Sequence, residues 1–92
     1  MLQIVYTNRM KRDVRRMRRQ GRDLGKLETV LNILAEEKAL PPRYKDHPLR
    51  GDYEGFRECH IESDWLLIYQ TYRDVLILTA VATGSHQDLF DE

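Results

Sequence analysis

The chain is short of most residues that define small proteins by simple means. Its 92 residues include a single cysteine, Cys59, so no intramolecular disulfide can form. That thiol lies in a strand-like segment and reads as core filler rather than a reactive group. No apolar run approaches the ~20 residues that span a bilayer, and no charged start with an apolar core and small-residue cleavage site precedes the fold. The expectation is a cytoplasmic protein with no membrane partner. Five glycines and three prolines leave little material for linkers, and no repeat or low-complexity stretch interrupts the pattern. A chain of this length holds one domain, residues 1–92, built on one core. Net charge is also absent, with fifteen Lys/Arg against fifteen Asp/Glu.

That balance conceals an asymmetry. Residues 1–26 carry nine Lys/Arg against Asp13 and Asp23, a net +7, so residues 27–92 carry −7. A basic segment of this kind suits a polyanion, and nucleic acid is favoured over membrane because the core needs the segment's apolar face. Seven of the nine cations are arginine, whose planar guanidinium can grip phosphate through two bonds. The plainer reading is a solvated helix face.

Residues 2–6 have strand composition, and Thr7-Asn8 offers N-cap chemistry. Met10, Val14, Met17 and Gly21 follow at helical spacing, with the helix expected to end near Gln20-Gly21. A second helix starts from Asp23, carries Leu24, Leu27, Leu31 and Leu34 on one stripe, and is expected to stop at Pro41-Pro42. The period then becomes alternating. Phe56, Glu58 and His60 share one strand face, with Arg57, Cys59 and Ile61 on the other. Residues 65–72 are apolar on both faces, as in a central strand, and residues 75–82 form the last long strand. Short loops make these strands antiparallel hairpins. The fold class is therefore α+β, in the order β-α-α-β-β-β(-β), with a two-helix hairpin on one face of an antiparallel sheet. The other face and its rim are expected to collect polar groups.

All three histidines fall after the helices. His47 lies in an Asp-His-Pro turn, His60 beside Glu58, and His86 in a loop after Gly84. Imidazole is the side chain whose unperturbed pKa suits proton transfer near neutral pH. RNA cleavage needs no metal if one group takes the 2′-hydroxyl proton, another protonates the departing 5′-oxygen, and a cation stabilises the charged phosphate. A carboxylate such as Asp64 or Glu58 would orient an imidazole. Each histidine also has a structural alternative: a turn brace at 47, a surface ion pair at 60, a loop residue at 86. Three histidines with Asp64 could instead ligate zinc, although spacings of 47, 60 and 86 match no compact ligand motif. Metal and cofactor are accordingly not expected.

Three strings in order carry a resemblance: Tyr44-Lys45-Asp46-His47-Pro48-Leu49-x-Gly51, Gly55-x-Arg57-x-x-His60-x-x-x-Asp64-Trp65-Leu66-Leu67-Ile68-Tyr69, and Thr83-Gly84-x-His86-x-x-Leu89-Phe90. Together they resemble the YafQ branch of the RelE-type toxins of bacterial type II toxin–antitoxin systems, closely over residues 41–90 and by pattern and charge before that. The resemblance implies a RelE-like fold and a ribosome-dependent mRNA endoribonuclease that cleaves the codon in the decoding site of the 70S ribosome. It makes His86 the principal catalytic residue, with His47 and His60 assisting and Asp64 supporting them. Trp65 and Phe90 match positions lining the pocket, with Arg57 and Lys45 also placed against RNA. Glu58 stands where the branch more often has aspartate. Arg12, Arg15, Arg16 and Arg19 would face ribosomal RNA, and the implied partner is a small, dimeric, DNA-binding antitoxin encoded nearby. Two other functions stay open at this stage: a non-catalytic nucleic-acid or partner-binding module of the same fold, and a zinc-binding hydrolase.

Overall fold

The computed structural model describes residues 1–90; Asp91 and Glu92, the last of the expected 1–92 domain, lie outside them. Strand β1 (Gln3–Tyr6) leads into helices α1 (Asn8–Arg19) and α2 (Leu24–Ala35). A two-residue strand β2 (His47–Pro48) follows, then β3 (Arg57–Glu62), β4 (Trp65–Tyr72), β5 (Ile77–Gly84) and a short helix α3 (His86–Phe90). The strands form one sheet in the order β1-β5-β4-β3-β2, which puts the doubly apolar β4 at its centre.

Both long helices start where side chains can satisfy their free N–H groups. The Thr7 hydroxyl accepts from Met10 N at 3.0 Å and donates to the Val81 carbonyl, tying the start of α1 to β5. Asp23 accepts from Gly25 N at the start of α2. Gly21, at φ +77°, reverses the chain between the helices, a conformation that suits a residue without a side chain. The helical stripes meet the sheet as expected. Met10, Met17, Leu27, Val30 and Leu31 pack with Cys59, Trp65, Leu67, Tyr69 and Leu78.

Three expectations need correction. The sheet is antiparallel except at one edge, where β1 runs parallel to β5. Hairpin logic covers only β2 to β5; β1 reaches its neighbour by way of the helices, so no short loop dictates its direction. Helix α2 ends at Ala35, well before Pro41. Glu37 takes a left-handed conformation there and Lys38 N bonds back to the Ile33 carbonyl, while the Ala35 carbonyl accepts from Leu2 N. The third correction concerns the sheet face opposite the helices, which is not left to polar groups. Leu66, Ile68, Ala82 and Leu89 form a second apolar layer there, covered by Leu49, Tyr53, Phe56 and Phe90. The polar groups gather at one end of that layer.

Among the described residues no helix is long and apolar enough to cross a membrane.

Candidate active site

Strand pairing assembles the histidines. His47 opens β2 opposite Glu58 of β3, and alternation brings His60 to the same face two residues later. The β3–β4 register shifts between His60 and Glu62, a bulge at the point where the strand reaches the site. His86 begins α3 just beyond β5. The result is a row with His60 in the middle: its ring centroid lies 6.4 Å from that of His47 and 5.7 Å from that of His86.

Hydrogen bonds fix the ring orientation at both ends of the row. His86 donates from its backbone N–H and from ring Nδ1 to the same Asp64 oxygen, at 3.0 and 2.9 Å. These two bonds, the backbone one first, hold Asp64 below the ordinary carboxylate range. An ionised carboxylate can only accept, so Nδ1 carries a proton, and in the neutral ring Nε2 is the nitrogen with the lone pair. At the other end, His47 Nδ1 lies 2.7 Å from the Lys45 carbonyl, again an acceptor alone. Both outer histidines thus present Nε2. In the middle, Glu58 Oε1 lies 3.4 Å from His60 Nε2, and Glu58 is buried to 5% exposure.

Asp46 supports the His47 end. It accepts from the Tyr69 hydroxyl at 2.5 Å and from Arg57 Nε at 3.2 Å. Burial, and then the bond to Asp46, raise the Tyr69 hydroxyl well above its usual range, so it stays a donor at all physiological pH. Helix α3 is held by a capping box in which Asp88 N donates to Ser85 Oγ and Ser85 N donates to an Asp88 oxygen. The sequence reading assigned no role to Asp46, Tyr69 or Asp88, although Ser85-His86-Gln87-Asp88 carries the capping-box spacing.

Not every expected residue reaches this cleft. Arg57 alternates away from Glu58 and His60 and is committed to Asp46, so it does not line the histidine row. Trp65 is fully buried, its Nε1 donating to Thr83 Oγ1 at 2.9 Å; it is a core residue rather than a pocket wall. Phe90 packs edge-on to Tyr53 in the second apolar layer, with centroids 5.4 Å apart. Arg16 turns inward to Asp13, Thr83 and Asp88, whereas Arg12, Arg15 and Arg19 are exposed. Cys59 is fully buried, and burial pushes its thiol up to about 12, as expected of a core residue. Lys45 lines a cavity of about 610 Å³ beside His60, together with Lys26, Arg43 and Tyr44.

The row also offers a ligand set. One donor atom each from Glu58, His60 and His86 lie within 4.8 Å of one another, which could hold a metal ion. This set differs from the one considered from sequence, because Glu58 joins it and His47 and Asp64 do not.

A parallel-edged sheet under a helical hairpin, ending in a carboxylate-tethered histidine row, defines a RelE-like toxin fold. The chain belongs to the YafQ family of bacterial toxins of type II toxin–antitoxin systems, whose family model matches residues 2–91. It is 36% identical over 88 residues to the mRNA interferase toxin YafQ of Escherichia coli K12, covering 95% of this chain and 94% of that protein. A metal-bound toxin from Helicobacter pylori superposes with a TM-score of 0.92 at 42% identity, covering 98% of this chain and all of that one. The E. coli DinJ–YafQ complex contains a chain that superposes with a TM-score of 0.88 at 34% identity, covering 98% and 99%.

Proposed function

We propose that this chain is an mRNA endoribonuclease that works in the ribosomal decoding site by metal-independent histidine acid/base chemistry. The observation that carries the reading is His86, whose Nδ1 is tethered to Asp64 and whose ring lies 5.7 Å from that of His60. In the reaction, one imidazole takes the ribose 2′-hydroxyl proton as the oxygen attacks phosphorus. The bond to the 5′-oxygen breaks, and a second imidazolium protonates that oxygen as it leaves. The upstream fragment then ends in a 2′,3′-cyclic phosphate. His86 is assigned as one partner of this exchange; His60, with Glu58 alongside, and His47 supply the other proton and the positive charge for the phosphate.

The cavity beside His60 offers the RNA strand two cations, Arg43 and Lys45, while Lys26 in the same lining is paired with Glu62. Exposed Arg12, Arg15 and Arg19 suit contact with ribosomal RNA, which requires no base reading. Dependence on the ribosome has a physical rationale: a row of single side chains does little to align a flexible strand, and the ribosome supplies the in-line geometry. A ribosomal target places the protein in the cytoplasm. Its partner is an antitoxin, as the DinJ–YafQ toxin–antitoxin complex of E. coli supports, and the form expected of it is a small, dimeric, DNA-binding protein encoded nearby.

The metal set favours a second reading, a hydrolase using an ion on Glu58, His60 and His86. Such an ion would act as Lewis acid and generate hydroxide from water. A translating extract separates these readings from that of a non-catalytic binding module. Purified protein should cleave message there, with chelator tolerated once magnesium is restored, and the neighbouring reading frame should relieve toxicity in cells and copurify. Stoichiometric metal required for cleavage would favour the second reading, and intact message would favour the module.

A further inference from the structure

Arg16 turns away from the exposed face of the basic helix that carries Arg12, Arg15, Arg18 and Arg19. Its Nη1 lies 3.0 Å from Asp13, and its Nη2 reaches the Thr83 carbonyl at 3.2 Å and Asp88 at 3.6 Å. Its Nε is buried without a partner among the described residues. Asp13, itself only 5% exposed, accepts from Thr83 N at 3.1 Å. Helix α1 therefore holds both the N–H and the C=O of Thr83, and through Asp88 it also holds the capping box that starts α3. His86 sits between these two grips.

Gly84 shows how closely they converge. A Cβ there would lie 2.8 Å from Arg16 Nη2 and 2.9 Å from an Asp88 oxygen, so the guanidinium and the carboxylate occupy the space a side chain would need. A half-buried guanidinium whose Nε has lost water is costly unless its remaining N–H groups are held by several partners. Three charge-assisted contacts from α1 converge on Thr83 and Asp88, one on each side of His86.

We propose that Arg16 is a positioning residue for His86. With Asp13 and Asp88 it forms a clamp from α1 that fixes the approach of β5 to α3, so that His86 presents its backbone N–H and Nδ1 to Asp64 with its ring beside that of His60. The proposal rests on His86 being the acid/base group. Lysine cannot replace arginine here, because a single ammonium does not span Asp13, the Thr83 carbonyl and Asp88 as a planar fork does.

The test uses the full chain in three variants, Arg16→Met, Arg16→Lys and Asp88→Ala, each checked for folding by its amide spectrum. Asp88→Ala removes the exposed arm of the clamp together with the Ser85 N–H acceptor of the capping box, leaves the Arg16–Asp13–Thr83 contacts in place, and covers the case in which Arg16→Met fails to fold. Ring nitrogen shifts of His86 read its tautomer, and single-turnover cleavage on programmed ribosomes is compared with ribosome affinity. All three variants should lose the uniform Nδ1–H tautomer and cleave about tenfold to 10²-fold more slowly, with affinity kept within about twofold. Full activity in Arg16→Lys, or loss of affinity with cleavage of bound message unchanged, would make Arg16 a phosphate contact and overturn the proposal. Unmoved His86 shifts in every folded variant would overturn it as well. Because the shifts need no RNA, failure of the clamp is separable from failure of the acid/base reading, which full activity of His86→Ala would show.

Discussion

One oxygen of Asp64 accepts from both the backbone N–H and the ring Nδ1–H of His86, at 3.0 and 2.9 Å. Rotation of the ring about χ2 would break the second bond while leaving the first, so the backbone contact keeps the carboxylate in place to recapture the ring. The same pair sets the tautomer and shapes an acid limb in the protein's behaviour.

The pH dependence has a definite sign. The folded pKa of Asp64 lies below its unfolded value, so the tether is fully present above the ordinary carboxylate range and is lost as pH falls through the lowered value. Titrating the His86 backbone amide shift downwards from neutral pH should give a midpoint below about 3.9, the reference for aspartate. A midpoint at or above that value would contradict the tether.

Asp64→Asn should fold normally, because Asp64 is exposed, yet lose roughly 10²-fold in turnover. An amide can accept the ring proton or donate to the ring, and so no longer enforces one tautomer. Single-turnover cleavage on programmed ribosomes reads this directly, and a rate within twofold of wild type would remove the orienting role.

His86→Ala should lose about 10²–10⁴ in rate while keeping its fold, the usual contribution of a general acid or base. His47→Ala and His60→Ala should each lose less, and in a shared network their effects need not add. Growth arrest on induction of a stable His86→Ala protein would count against its assignment.

Trp65 supplies a test of burial against binding. Trp65→Phe removes the Nε1 bond to Thr83, whose hydroxyl keeps its bond to the Leu66 carbonyl, and leaves a void where the indole packed, and should lower stability by about 1–3 kcal/mol. Denaturant unfolding measures this. Unchanged stability with weakened RNA affinity would return Trp65 to the pocket.

Charge reversal of Arg12 and Arg15 should weaken ribosome binding and flatten its salt dependence, because each phosphate contact releases counterions. Binding measured across salt concentrations gives the slope. An unchanged slope would reduce these arginines to a solvated face.

What the sequence made legible had short-range causes. Helical spacing placed Met10 and Met17 in the core, two-sided apolarity placed β4 at the sheet centre, and alternation put Glu58 and His60 on one face. What it hid depended on distant partners. The parallel direction of β1 is set across the sheet, and the second apolar layer required Leu49, Tyr53 and Phe56 to fold over β4 from a loop with no regular period. Arg16 is indistinguishable in composition from Arg12 or Arg15; only its place on the helix turns it towards Asp13 and Asp88. The motif places Arg57 in the cleft while strict alternation points it to the opposite face, and its bond to Asp46 follows the alternation.

The most direct test of histidine acid/base cleavage is the chemistry of the new RNA end. Message cut by the purified protein on translating ribosomes should carry a 2′,3′-cyclic phosphate or a 3′-phosphate on its upstream fragment, because the attacking oxygen is the neighbouring ribose hydroxyl. A 3′-hydroxyl there, with the phosphate on the downstream fragment, would mean attack by water and would contradict the account.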